Sequence, residues 1–485
     1  MTKAERGELA FKIAGIVWVL RCLPVLSALY HLILQEAHTH FDAGGRLDAA
    51  AGLVYQLAVT VVPPICLIGF SRRLSRWLLR PRETDFASIF EEALHTGIVL
   101  IGLSFALAYA FAVLLVFEGA AVLAPWGAGT VVALSMLASA GHLTRFLQRW
   151  GRRSVEGQNA SAGIVRVGLA LMGLYLCLRS VIGGTSALAM VLWPPAENAL
   201  FGETVRTFQV RQVYTNAAYL AVAIALVLSA PRVAAWLCRG ETQLEGDRPS
   251  TSGPGARTYV ELTLFAGLVY VFVDYFSRRM GPPFSQWQGR DVIRVVAVTV
   301  AMLALGMGVF YVGRLCLVKV AGWLVPGDSA SEEANGARAL VILEVPITII
   351  AVHRVASDLL SLSSIVAEKA LPEAAVISLG IILLRSDIAW LMLGRRRPSE
   401  AICAERRAAA LRPWLILLGV WLVVVHFPGA PAGLALRHIF YPTVHLPHLG
   451  FVAGLALIFG AGWLSRLLSH GRIIPRIWPE PRSVG

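Results

Sequence analysis

Long apolar stretches alternate along the chain with short polar segments. A helix rises 1.5 Å per residue, so about 20 apolar residues cross a hydrocarbon core of about 30 Å. The stretches are too long and too continuously apolar for the strands of a membrane barrel. The sequence therefore predicts an all-α, polytopic membrane bundle with about twelve transmembrane helices. These helices are predicted at about 10–34, 49–71, 94–117, 120–143, 164–192, 213–236, 259–277, 292–318, 339–361, 373–393, 409–427 and 448–468.

Short connections between successive stretches predict six helical hairpins, because neighbours joined by short loops pack side by side. The segment 240–258 is polar and rich in Gly, Pro, Ser and Thr, and it separates the sixth helix from the seventh. We therefore divide the chain into a six-helix half at 1–239, the linker 240–258, a second six-helix half at 259–471 and a tail at 472–485.

Composition agrees with the pattern. Hydrophobic residues make up 56% of the 485 positions and charged residues 15%. A soluble domain has about 45–50% apolar and about 25% charged residues. A soluble fold of this size could not cover so much apolar surface, so the lipid bilayer is the predicted partner.

Basic residues set the orientation, because Lys and Arg accumulate in the cytoplasmic loops of membrane proteins. With the N-terminus inside, the cytoplasmic segments hold 29 of the 43 basic residues and the outer loops hold nine. This split predicts a protein of the cell inner (plasma) membrane with both termini cytoplasmic. The net charge of +13 follows from topology, so nucleic-acid binding is not predicted.

A layout of six plus six helices with both ends inside resembles the major facilitator class of transporters, and the resemblance implies solute transport. That family carries a Gly-x-x-x-Asp-Arg loop after its second helix. Here the corresponding segment from Ser71 to Phe86 is SRRLSRWLLRPRETDF, without that motif.

Several helices end with a basic residue and a Trp four or five positions later, as in Arg72–Trp77 and Arg145–Trp150. Interfacial anchoring explains such ends, and so does duplication of a hairpin. A stack of hairpins with basic ends also resembles the peripheral helix pairs of large mechanosensitive channels. The chain lacks the soluble β-rich domain that completes such a channel.

Charged side chains at hydrocarbon depth are costly, at least about 2.5 kcal/mol each on insertion scales, so each needs a partner or a water-filled path. Glu344, Arg354 and Asp358 fall on one helical face, and the last two form an i,i+4 pair. We expect this face to point into the bundle, either to neutralise buried charge or to line a polar pathway. The candidates for such an ion-pair network or pathway are Arg21, Arg179, Asp274, Glu344, His353, Arg354 and Asp358.

Arg21, Arg179 and Asp274 are the charges we expect opposite that face. Arg166 and Arg385 lie closer to helix ends, and we interpret them as anchors that extend to the interface.

No cofactor, metal or reaction is predicted. Six cysteines lie singly, and the outer-loop histidines do not show the convergent geometry that a metal needs. Nucleotide-binding and hydrolase motifs are absent. Enzymatic activity stays open, leaning to none. Acidic residues in the first outer loop keep a membrane transferase acting on a lipid-linked substrate as a third hypothesis: Glu36, Asp42 and Asp48.

The leading hypothesis is a transporter-like or channel-like protein for a small solute. The alternative is a non-catalytic scaffold, sensor or subunit, as a homo-oligomer or within a larger membrane complex. A polar cavity that reaches Arg21, Arg179 or the helix at 339–361 favours transport. A dry bundle favours the scaffold.

Overall fold

The structure is a computed structural model of the whole chain. It describes residues 5–19, 61–79, 89–115, 120–151, 160–192, 202–238, 256–279, 289–325, 336–361, 372–393, 400–426 and 449–469. These residues are almost entirely helical, and none of them lies in a strand. The all-α prediction is confirmed for this part of the chain.

The helices are numbered in chain order. They are α1 (5–19), α2 (61–69), α3 (Ser71–Leu78), α4 (Ile89–Leu115), α5 (Ala120–Gly151), α6 (Ala160–Leu192), α7 (Gly202–Leu237), α8 (Ala256–Arg279), α9 (Gly289–Leu324), α10 (Gly336–Ser361), α11 (Pro372–Leu393), α12 (Glu400–His426) and α13 (Leu449–Ser469).

Eight of the described helices are long and apolar enough to cross a membrane, and each coincides with a predicted one. Their apolar spans are Phe90–Ala110, Gly127–Gln148, Ser161–Leu192, Arg206–Leu237, Leu303–Leu324, Ala339–Ala356, Arg407–Val425 and Gly450–Ser469. The remaining four predicted spans reach beyond the fully described residues and stay predictions. The protein is thus a multi-pass helical membrane protein.

One predicted boundary was wrong in a way that matters below. Helix α12 begins at Glu400 and not near residue 409. The segment before the apolar stretch, Glu400 to Ala408, is rich in Ala, Glu and Arg, which favour helix, so the helix extends beyond the apolar pattern. The early start brings Arg407 into the bundle.

The chain divides into two compact units. The first contains α1–α7 and the second contains α8–α13. Each is described by itself.

In the first unit, α4 and α5 are antiparallel. Gly102 lies against Leu137, whereas Gly129, eight positions earlier, lies against Tyr109, further along α4. At the start of α4, Glu92 binds Arg6 of α1 through two hydrogen bonds of 2.9 and 2.7 Å. These bonds raise the pKa of Arg6 above its ordinary value. The pair joins the first helix to the start of α4.

Helices α6 and α7 are antiparallel as well. Gly173 lies against Ala223 and Val227, while Gly183 lies against Asn216. Glycine permits this close approach, since a Cβ on Gly183 would come within 2.8 Å of the Asn216 Oδ1 atom. Helix α6 continues without interruption through Gly183 and Gly184.

In the second unit, the closest crossing joins α12 to α13. A Cβ on Gly419 would come within 2.7 Å of the Gly454 carbonyl oxygen, and the reciprocal distance is also 2.7 Å. Helices α9 and α11 instead run in the same direction. Gly380 of α11 lies against Leu303 of α9, and further along both helices Arg314 donates to the carbonyl of Leu391.

Candidate functional site

The most buried charges of the second unit lie between α10 and α12. Arg407 Nη2 donates to Glu344 Oε1 at 3.0 Å, and Arg407 Nε forms an ion pair with Glu344 Oε2. Glu344 is 2% exposed and Arg407 is 6% exposed. The carboxylate also accepts a hydrogen bond from Ser386 of α11. We call Glu344, Arg385, Ser386 and Arg407 the charged centre.

Arg385 of α11 is buried in the same place. Its Nη1 donates to the carbonyl of Ile382 at 2.5 Å, and its Nη2 donates to the carbonyl of Leu468. Leu468 is the next-to-last residue of α13, where helix carbonyls have no intrahelical donor and the helix dipole is negative. Arg385 therefore caps the end of α13. The interpretation of Arg385 as an interfacial anchor was wrong, because a side chain only 2% exposed does not reach the interface.

Topology brings these residues to one level. Glu344 lies near the start of α10 and Arg407 near the start of α12, whereas Arg385 and Leu468 lie towards the ends of α11 and α13. Four helices that alternate in direction place all four positions at the same end of the unit. Glu344 is about 8 Å inside its apolar span, at 1.5 Å per residue from Ala339.

The arrangement has two guanidinium groups and one carboxylate, and each has a partner. A single buried charge would be strongly unfavourable, so the ion pair and the carbonyl cap make the burial possible. The described hydrogen bonds of the two guanidinium groups go to the Glu344 carboxylate and to the carbonyls of Ile382 and Leu468, while Arg407 Nε and Glu344 Oε2 are joined as an ion pair. The charged centre therefore joins α10, α11, α12 and α13.

The other candidates of α10 behave differently from Glu344. His353 and Arg354 are half-buried, and each has an interaction within the structure. The side chains of Asp274 and Asp358 lie outside the described part of the chain, and so does Arg21. The predicted Arg354–Asp358 pair therefore stays a prediction. We expected Glu344 to face Arg21, Arg179 or Asp274, but its described cationic partner is Arg407.

A second polar location lies in the first unit, around Arg179. Arg179 is exposed on α6, at about 27 Å from Ser161 and about 20 Å from Leu192 along the helix, and therefore near mid-depth. Tyr175 is one turn earlier on the same helical face. Arg179 interacts electrostatically with Tyr109 of α4 and Tyr219 of α7.

Packing fixes the tyrosines in place. The ring of Phe105 lies between two of them, with centroid distances of 6.0 Å to Tyr109 and 5.5 Å to Tyr175. On its other side the Tyr109 ring lies against Gly129, where a Cβ would come within 3.1 Å of a ring carbon. We call Tyr109, Tyr175, Arg179 and Tyr219 the tyrosine–arginine site.

Arg166, the other predicted anchor, is half-buried and donates from Nη2 to the Leu147 carbonyl at 3.4 Å. It joins the start of α6 to the last turns of α5. Among the described residues, no group of three or more His, Cys, Asp or Glu could hold a metal ion.

Sequence reasoning found Arg179 and Glu344 and missed Arg407, Arg385 and the tyrosines as partners. The signal that could have found Arg407 is the depth of each charged residue along its helix in the membrane. Arg407 lies just before the predicted helix at 409–427 and Glu344 near the start of the predicted helix at 339–361, so the sequence places both towards the same side of the membrane. Tyrosines in apolar helices carry no such signal, because membrane tyrosines are common.

No protein-family model, no curated protein and no solved structure matches this chain.

Proposed function

We propose that the protein moves a small polar solute across the cell inner membrane, through a polar region of its first unit that includes Arg179. The topology that we propose with it has twelve transmembrane helices in six hairpins, with both termini cytoplasmic and the linker 240–258 between two six-helix halves. The antiparallel registers of α4 with α5 and of α6 with α7 support this topology.

The observation that supports transport is the exposure of Arg179. A guanidinium facing hydrocarbon costs at least about 2.5 kcal/mol on insertion scales, and such residues face water or a polar partner in membrane proteins. Within the part of the chain that the structure describes, no carboxylate forms an ion pair with Arg179. An exposed, permanently charged side chain near mid-depth is therefore best explained by a water-filled path beside α6.

The experiment is aqueous accessibility at position 179. In a variant whose six native cysteines are replaced, Arg179→Cys is treated with a charged, membrane-impermeant thiosulfonate. We expect rapid modification, since the path admits water. The matched control is Ile224→Cys on α7, an exposed apolar position that we expect to face lipid and to react slowly. Equal and slow reaction at both positions would show that no water reaches Arg179 and would remove the support for transport.

The alternative function is a non-catalytic scaffold or complex subunit. It is favoured by the second unit, where the charged centre is internally paired. There an apolar cluster of Ala356, Leu418 and Leu422 packs α10 against α12. A unit held together by such contacts suits a structural role. In this alternative, Arg179 contacts a partner protein, and the purified protein carries that partner as a stoichiometric subunit.

The third hypothesis, a membrane transferase, depends on Glu36, Asp42 and Asp48, which lie outside the described residues. No geometry in the described chain supports it.

A further inference from the structure

We infer that the tyrosine–arginine site binds a small organic carboxylate with an apolar body, such as an aromatic monocarboxylate. The inference rests on the water-filled path of the proposed function, whereas the binding itself can be measured without transport. It names the chemical class of solute that the site fits.

The positive charge of Arg179 favours an anionic ligand. Arg179 remains protonated at any physiological pH, and its fork of N–H groups matches a carboxylate. It is exposed, and none of the described carboxylates neutralises it. The complementary occupant of an exposed guanidinium at this depth is an anion.

The tyrosine hydroxyl groups of the tyrosine–arginine site favour a carboxylate as that anion. The α6–α7 register puts Arg179 level with Tyr219, because Gly173 faces Ala223 and Gly183 faces Asn216. The charge of the same guanidinium also acts on Tyr109 of α4. Phenol O–H groups donate to carboxylate oxygens, so a tyrosine hydroxyl at the level of Arg179 can bind an oxygen of the same carboxylate.

The aromatic surface of the site favours an organic anion over chloride or phosphate. The rings of Phe105, Tyr109 and Tyr175 form one group in which all three are half-buried, and Tyr175 lies one helical turn from Arg179. A ligand held by its carboxylate at Arg179 extends its body over these rings. Aromatic faces favour an aromatic or branched apolar body.

The test uses the purified full-length protein in lipid nanodiscs and radiolabelled benzoate as the probe, measured by equilibrium dialysis. Unlabelled benzoate, benzamide and chloride serve as competitors. Benzamide has the same ring without the charge, and chloride has the charge without the ring. We expect saturable binding that benzoate displaces, with at least about tenfold weaker competition by either control.

Variants assign the binding to the site. Arg179→Gln is expected to weaken benzoate binding at least about tenfold, and Arg179→Lys, which keeps the charge, to weaken it less. Tyr219→Phe removes one hydroxyl and keeps the ring, so an intermediate loss is expected. Arg232→Gln, an exposed arginine of α7 outside the site, is the control and should bind like the parent protein. Thermal unfolding of each variant checks that it is folded.

Equal competition by benzamide and benzoate would overturn the inference, and so would unchanged binding in Arg179→Gln. Failure of the transport proposal looks different. Benzoate that binds through Arg179 but does not cross proteoliposomes leaves the carboxylate site intact and removes the transport function. Absence of binding together with rapid modification of Arg179→Cys removes the carboxylate and keeps the water-filled path.

Discussion

Glu344 and Arg407 form a two-point ion pair between α10 and α12, although 63 residues separate them in the chain. Breaking a buried pair from one side leaves an uncompensated charge. We expect Arg407→Met to destabilise the protein by about 3–5 kcal/mol, because Glu344 stays buried. The double change Glu344→Leu with Arg407→Met removes both charges and should recover most of that loss. Thermal unfolding in detergent measures both variants.

The control for this pair is Arg466→Met at an exposed position of α13. It should change stability by less than about 0.5 kcal/mol, as surface substitutions usually do. A double variant no more stable than Arg407→Met alone would contradict the idea that the pair is structural.

Arg385 should stabilise the last helical turn of α13. In Arg385→Met the carbonyl of Leu468 loses its donor, so the last turn of α13 should open more often. Hydrogen–deuterium exchange should rise in the peptides that end α13 and stay unchanged in α4 and α5. Arg314→Met is the matched variant, since Arg314 Nη1 donates to the Leu391 carbonyl at 3.4 Å. Its effect should appear at the end of α11 instead. Identical exchange patterns in the two variants would refute specific capping.

A side chain added at Gly454, where α13 crosses α12, should destabilise the protein. Gly454→Ala places a Cβ about 2.7 Å from the Gly419 carbonyl oxygen, where only a shift of the two backbones relieves the contact. Overpacking of this kind typically costs about 1–3 kcal/mol. Gly460→Ala on the same helix meets nothing within 4 Å and should be neutral or slightly stabilising, since Ala favours helix over Gly. Melting temperatures of the two single variants decide the matter, and equal values would contradict the crossing.

The proposed topology predicts which positions an impermeant thiol reagent reaches in intact cells. Cysteines introduced near Arg206 or Pro431 should be labelled from outside, whereas cysteines at Ser250 or Arg396 should be labelled only after the membrane is opened. External labelling of Ser250 would reverse the orientation, because that position lies in the predicted cytoplasmic linker.

The apolar pattern was sufficient to predict the helices, because lipid forces every span to be long and apolar in its own sequence. That is why α4 to α7, which need no partner to be recognised, appear where they were expected. The end of an apolar stretch is not the end of a helix, however. The segment from Glu400 to Ala408, which includes four charged residues, is helical, whereas the pattern placed Arg407 in a cytoplasmic segment before the helix.

Partners were harder to predict than helices. The i,i+4 rule applies within one helix and suggested Asp358 for Arg354, but it carries no information about which neighbour faces Glu344. The contact with Arg407 depends on the packing of α10 against α12, and the cap on Leu468 depends on a backbone carbonyl, which every residue has. Neither contact can be predicted from the types of the residues alone. Arg179 was identified because its cost in lipid is independent of its neighbours.

Because 63 residues separate Glu344 from Arg407 in the chain, the two residues are synthesised at different times. Ribosomes add about 5–20 residues per second, so Glu344 leaves the ribosome about 3–13 seconds before Arg407 does. During that interval α10 has its carboxylate and not its main counter-ion. Arg385 is synthesised earlier than Arg407, so α11 brings the first positive charge to Glu344. We therefore expect α10 to remain beside the insertion machinery until α12 supplies Arg407, the main counter-ion of its buried carboxylate.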